Sequence, residues 1–360
     1  MDVTEPAQTD RRIELEQLPG GKLAVAEAEG RAIQSLVADM VRIPFHLVTP
    51  GLNVPGDLFL PYQPPGGKLT LARVVKKGGS LSPATLLQLE KNGIDAFYGW
   101  PRDQQALLAA VTEQVTAELA RRDLSPEAKG RILYDHAHVL VQSTMQSPKM
   151  GEKMGENIKL GLEYCRAFSS MIRENPQSLP NLMDFLVADY DLYTHSVNVC
   201  LLATSFGRFL GLTGKDLESL GLGALYHDLG KRNTPPEVLY KPGKLTPAEW
   251  KIVHRHPEEG YLLLADQPLL PREVPLMVRQ HHENLDGSGY PQGLAEAELL
   301  TGSQILRIID TYDAITSVRC YQKATEPFYA IHIMRDEMSG QISFLLLKEF
   351  IAFLGWIMRQ

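Results

Sequence analysis

The chain has 360 residues, 44% of them hydrophobic, with a formal net charge of −7 and three cysteines. At roughly 150 residues per domain this length makes two or three units with at least one large core. The acidic balance excludes a global positive field that would draw the protein to DNA or to an anionic membrane, so an anionic substrate has to be met by a local basic pocket.

Cys165, Cys200 and Cys320 are too far apart in sequence to suggest a disulfide framework or a thiolate zinc site, and they fit a reducing, cytoplasmic setting. Residues 1–10 are polar and acidic, unlike a secretory leader. The apolar stretch from Phe344 to Met358 carries Lys348 and Glu349 and is short for a membrane span, so it is expected to be a docked C-terminal helix.

In chain order, residues 1–42 form an N-terminal segment expected to be partly helical or flexible. Residues 43–100 are rich in Pro and Gly with short apolar bursts, and predict a small β-rich (α+β) domain with a regulatory or partner-binding role. Inside it, Ser82-Pro83 predicts a helix start and Asn92-Gly93 its stop. Residues 101–180 read as a helical connecting region: Leu107, Leu108, Val111, Val115 and Leu119 recur at helical spacing, and Ser125-Pro126 opens a second helix. His136-Ala137-His138, next to Asp135, is expected on a solvated face of that helix. Residues 181–360 form the last domain, also helical, with capping-box patterns at Thr213/Asp216 and Thr246/Glu249. The fold class is therefore mainly α with a smaller β-rich N-terminal domain.

Chemistry concentrates in the last domain. Of ten histidines, five fall in short polar clusters set in apolar helical sequence: His195, His227 beside Asp228, His256, and His281-His282, with Asp310 nearby. Buried imidazoles and carboxylates are costly unless paired or bound to metal. Five histidines and two aspartates can hold two metal ions that share a carboxylate, and a thiolate-free N/O set suits iron, manganese, nickel, cobalt or zinc. Such a pair can activate water and neutralise a phosphoryl group.

His227-Asp228-Leu229-Gly230-Lys231 and the run from His281 to Pro291, HHENLDGSGYP, resemble the two signatures of the HD-GYP family. Tyr193 to Val199, His256 to Gly260 and Asp310 to Ala314 occur in the order of that family. The resemblance covers roughly 181–340, more loosely from Ser125 onward. It implies an all-helical HD-type bundle and metal-activated hydroxide attack on a cyclic dinucleotide, cyclic di-GMP or cyclic GMP-AMP. One metal would be held by His195, His227, Asp228 and Asp310, the other by Asp228, His256, His281 and His282, with iron or manganese expected first.

The same resemblance assigns Lys231 to catalysis alongside Asp228, and assigns substrate contacts to Lys231, Tyr290 and Arg319. Gln322 stands where the family often has arginine, and Lys323 is a candidate to replace it. Asp191 is a candidate third-metal ligand one helical turn before His195, a methylene shorter than the glutamate of some members. His254, His46 and His332 are not expected to ligate. A catalytically weak receptor or scaffold, binding a diguanylate cyclase or another signalling protein through the GYP loop, is the alternative. A general HD-superfamily phosphohydrolase is a third. A homodimer is also among the expected assemblies.

Overall fold

The computed structural model describes residues 22–23, 36–37, 40–63, 68–146, 150–175, 192–241, 243–317 and 325–359. The chain divides into two compact units, Met1–Ala120 and Arg121–Gln360.

The first unit is built on an antiparallel five-stranded sheet of β1 (Lys22–Leu23), β2 (Val41–Pro44), β3 (Leu58–Gln63), β4 (Thr70–Val75) and β5 (Ala96–Gly99). β3 is the hub, pairing with β1, β4 and β5, and β5 pairs on with β2. Leu58, Leu60 and Tyr62 alternate along β3 and are fully buried, the period-two pattern of a one-sided sheet. Helix α1 (Pro83–Lys91) starts where Ser82 accepts a hydrogen bond from the Thr85 amide and ends at Asn92, as its sequence signals require. Helix α2 (Gln104–Leu119) buries Leu107, Leu108, Val111 and Val115.

The second unit is helical: α3 (Pro126–Gln146), α4 (Met150–Glu174), α5 (Leu192–Phe209), α6 (Gly214–Tyr226), α7 (Pro236–Leu239), α8 (Pro247–Val253), α9 (His256–Leu264), α10 (Glu273–Gln280), α11 (Thr301–Thr316), α12 (Pro327–Glu337) and α13 (Phe344–Ile357). Helix α5 is buried around nearly its whole circumference and forms the axis of the bundle. The apolar face of α13 closes one side, with Phe350 and Phe353 against Phe206 at ring-centroid distances of 5.3 and 5.6 Å. No helix among the described residues is long and apolar enough to cross a membrane.

Two local expectations fare differently at helix starts. At Thr246 both halves of the capping box form with Glu249. Thr213 does cap α6, but its side chain makes no capping hydrogen bond. A larger correction concerns α3: Asp135, His136 and His138 are buried, not solvated. Residues from Leu133 to Met145 are covered on every face, and burial pushes the His136 imidazole down to about 4. The polar residues on α3 mark a central helix of the unit, which their spacing alone does not reveal.

The step that brings the two halves of the His/Asp cluster together is the approach of a 3-10 turn, Leu229–Asn233, to the start of α9. Gly230 makes the approach possible. A methyl group there would overlap the His256 carbonyl and lie 2.7 Å from the Gly260 nitrogen. Gly230→Ala is therefore expected to push the turn off α9, separating Asp228 from His256, at a cost of about 1–3 kcal/mol typical of overpacking. Elemental analysis and thermal denaturation should show reduced metal content and a lower Tm; full metal with an unchanged Tm would contradict this account of the turn.

Candidate metal centre

Each side chain of the cluster comes from a different part of the bundle. His195 projects from the first turn of α5, and His227 caps the end of α6 with Asp228 following. His256 opens α9, His281 and His282 follow α10, and Asp310 lies within α11. Because the 3-10 turn after Asp228 has three residues per turn, Lys231 stands directly over Asp228. Its Nζ donates to Asp228 Oδ2 at 2.6 Å.

Four imidazoles have their Nδ1 atoms engaged outside the cluster. His227, His256 and His281 bond through Nδ1 to the carbonyls of Ala224, Val253 and Val278, at 2.8, 2.7 and 2.7 Å. A carbonyl oxygen can only accept, so in each ring Nδ1 carries the proton and donates. His195 Nδ1 meets the Asp313 carboxylate at 2.7 Å. In the neutral rings the Nε2 lone pairs therefore face inward. His195 and His227 Nε2 lie 3.2 Å apart, and so do those of His256 and His281. Two facing lone pairs repel unless a cation sits among them.

Asp228 lies between these pairs. Its Oδ2 is 3.4 Å from His227 Nε2 and 3.7 Å from His195 Nε2, whereas Oδ1 is 3.3 Å from His256 Nε2 and 4.0 Å from His281 Nε2. Oδ1 is buried with no hydrogen-bond partner. Asp310 Oδ1 is 3.0 Å from His195 Nε2, and its Oδ2 is 3.7 Å from His282 Nδ1. Three overlapping triads have ligand atoms within 4.8 Å of one another: His195, His227 and Asp310; His227, Asp228 and His281; and His256, His281 and His282. A partnerless buried carboxylate oxygen among inward-facing nitrogens is the donor set of a divalent metal site.

The electrostatics agree with this. Burial alone would raise the Asp228 carboxyl, but the Lys231 ammonium and His227 hold it well below the usual carboxylate range. Asp310 is likewise held well below the usual carboxylate range: burial would raise it, and the adjoining His195, His282 and His227 rings together outweigh that burial. Burial pushes His281 and His282 well down, and neighbouring imidazoles push them further. Burial also lowers His256, an effect that its contact with Asp228 opposes. Neutral imidazoles and ionised carboxylates are the protonation states that bind metal.

Several contributors lie within the motif stretches but are given no role by the sequence. Asp313 accepts from His195 Nδ1 and from Asn198 Nδ2 at 3.1 Å, and Asn198 in turn accepts from the Tyr134 hydroxyl at 2.7 Å. That buried chain fixes the His195 ring from α3. Glu283 accepts the backbone amides of Gln292, Gly293 and Leu294 at 2.6, 3.2 and 3.1 Å, tying down the loop that carries Tyr290. Gly287 takes a left-handed φ of 74°, but Gly289 is needed for another reason: a Cβ there would overlap the Asn284 amide.

Tyr290 is stacked with His254 at 3.9 Å and with His282 at 4.7 Å between ring centroids. Two imidazoles cannot share one face of the phenol at those distances, so they cover opposite faces. His254 thus has a place beside the site without belonging to the His/Asp triads. Tyr290 offers its edge and hydroxyl, and burial pushes that phenol up so that it stays neutral. Arg319 and Lys323 lie outside the described residues, as does Asp191.

A family model described as HD domain matches residues 180–342. A cyclic di-GMP phosphodiesterase of Pseudomonas aeruginosa is 32% identical over 293 residues, which is 78% of this chain and 70% of that protein. A 3′3′-cGAMP-specific phosphodiesterase of Vibrio cholerae is 33% identical over 197 residues, 52% of this chain and 43% of that protein. A cyclic di-GMP phosphodiesterase of Thermotoga maritima is 26% identical over 234 residues, 64% of this chain and 61% of that protein. The solved structure of an HDG"Y"P protein from Bdellovibrio bacteriovorus matches with a TM-score of 0.64 at 18% identity, over 88% of this chain and 100% of that one, a likeness of fold. With its two signatures folded around one His/Asp cluster and this extent of similarity, the chain belongs to the HD-GYP family of cyclic dinucleotide phosphodiesterases.

Proposed function

We propose that this chain is a metal-dependent phosphodiesterase that opens a cyclic dinucleotide, cyclic di-GMP or cyclic GMP-AMP, to a linear dinucleotide. The observation that carries the reading is the position of Asp228, with one carboxylate oxygen toward His195 and His227 and the other toward His256 and His281. Two divalent ions fit this division: one held by His195, His227, Asp228 and Asp310, the other by Asp228, His256, His281 and His282. Iron or manganese suits the N/O donor set best, with nickel, cobalt and zinc as alternatives. When bound, the ions acidify water and neutralise charge on the phosphoryl group.

The chain's own residues do the rest. Hydrolysis forms one bond from a water oxygen to phosphorus and breaks one ester bond of the ring. Asp313 and the carbonyls of Ala224, Val253 and Val278 hold the imidazoles in the tautomer that ligates. Lys231, partly exposed beside Asp228, supplies a fixed positive charge for phosphoryl oxygens that become more negative in the transition state. Tyr290 presents its hydroxyl to the substrate, and Arg319 and Lys323 are further candidate contacts. Catalysis is assigned to residues 181–360, supported by the helices from Pro126 onward. The full-length protein loaded with iron or manganese should convert cyclic di-GMP or cyclic GMP-AMP to linear product resolvable by chromatography; cleavage of neither rejects the proposal.

Asp228→Ala should lower metal content from about two ions per chain to less than half of that, with nearly all turnover lost, since both ions lose a ligand together. Retention of full metal by elemental analysis would remove Asp228 as the bridge. A fragment of residues 121–360 is expected to keep metal and turnover, because every proposed ligand lies beyond residue 190. Should it fold and bind metal without cleaving, the N-terminal unit takes part in chemistry.

Lys231→Met keeps most of the side-chain length and removes its charge. Single-turnover cleavage is expected to fall on the order of a hundredfold, with metal content retained. An unchanged rate would reduce Lys231 to a counter-ion for Asp228.

A further inference from the structure

We infer that Arg307 is a substrate-binding residue of this site, gripping a phosphodiester oxygen of the cyclic dinucleotide at the edge of the His/Asp cluster. The inference rests on the proposed function and adds a residue that neither signature contains. Arg307 lies three residues before Asp310 on α11, hence on the same helical face. It is only partly exposed. Its Nε donates to Asn284 Oδ1 and one terminal nitrogen donates to Thr311 Oγ1, each at 3.1 Å. Both acceptors are neutral.

The nearby carboxylates are engaged elsewhere. Asp310 directs one oxygen toward His195 and the other toward His282. Glu283 is occupied by three backbone amides, Asp286 by Ser288, and Asp313 by His195 and Asn198. The Tyr290 phenol is neutral. Among the described residues Arg307 forms no ion pair.

A partly buried cation whose hydrogen-bond partners are both neutral is expensive to keep, and the Asp310 charge offsets its burial only in part. A guanidinium has five N–H donors, and two are accounted for here. The remaining three lie on the terminal nitrogens, whose planar fork matches two oxygens of a phosphate. Burial depresses the Arg307 pKa, as expected for a charge whose full counter-ion arrives with the ligand. A competing role would be structural, with Arg307 bracing the Asn284 segment against α11.

Steady-state kinetics with cyclic di-GMP, and equilibrium binding of a non-hydrolysable phosphorothioate analogue to the full chain, separate these roles. A charge-assisted contact of this kind contributes about a tenfold to hundredfold in affinity. Arg307→Met should raise KM and the analogue's Kd by that factor, with metal content and Tm retained. Arg307→Lys should recover much of the loss, because it restores charge without the fork. Thr311→Val removes a neutral partner and should leave Kd within about twofold of wild type. Should Arg307→Met fold poorly, Arg307→Gln tests the same loss of charge while keeping a donor for Asn284.

Wild-type affinity in the charge-removed variant overturns the assignment. Equal losses in the Lys and Met variants, accompanied by a lower Tm, also overturn it in favour of the brace. A wild-type protein that neither binds nor cleaves a cyclic dinucleotide rejects the functional proposal itself, a result distinct from failure at Arg307 alone.

Discussion

The site depends on a constraint on hydrogen bonding: the imidazoles of His227, His256 and His281 have already given their Nδ1 protons to backbone carbonyls one turn back. With those protons committed outward, the inward nitrogens of the neutral rings are lone pairs, and the bundle packs them against one another and around Asp228. Bulk water has little access to the arrangement, because His195, His227, Asp228, His256 and His281 are almost fully buried. A buried carboxylate oxygen without a donor and two close nitrogen pairs together cost several kcal/mol unless a cation completes them. A metal ion bound there would relieve that cost.

The same principle organises the loop after His282. Glu283 is itself buried, and it accepts three backbone amides of the loop that follows. The carboxylate thereby fixes the loop's shape, and Gly289 lets it pass against the Asn284 amide. Tyr290 is then clamped between His254 and His282. Stacking on both faces leaves the phenol only its edge and hydroxyl to offer a ligand, a geometric restriction that a freely rotating tyrosine would lack. Immobilising these groups before substrate arrives spares the ordering cost at binding.

Much of this was legible in the sequence, for reasons that differ by residue. The cluster of His195, His227, Asp228, His256, His281, His282 and Asp310 was readable because these polar residues stand in or at the ends of apolar helical sequence and because the two signature strings resemble those of a known family. Ser82 and Thr246 were readable as caps because their partners lie three residues away. The α3 histidines were misjudged because side-chain periodicity reports a helix's faces and not how many neighbours surround it; α3 is buried on every face from Leu133 to Met145, against α4, α5 and the Leu229–Asn233 turn. Asp313, Glu283 and Arg307 were silent because their roles are set by partners brought close only by tertiary packing. Glu283 even stands inside the signature, but nothing in its spacing says that it serves the loop and not the metal.

An acidic chain that acts on an anionic substrate has to handle charge locally, and the cluster shows how the signs are arranged. Asp228 and Asp310 carry negative charge into the interior, where burial disfavours it, and the His256, His281 and His282 imidazoles, which burial pushes toward the neutral form, cannot cancel it. Lys231 offsets part of it at Asp228, which leaves the ammonium divided between holding that carboxylate and meeting a phosphate. A divalent cation bound by Asp228 would weaken the first of these claims, since the carboxylate would then answer to a closer and larger charge. Lys231 would then be freer to meet a phosphoryl oxygen of the proposed substrate. Under the proposed function, phosphate recognition and metal occupancy would be coupled through this one carboxylate, Asp228.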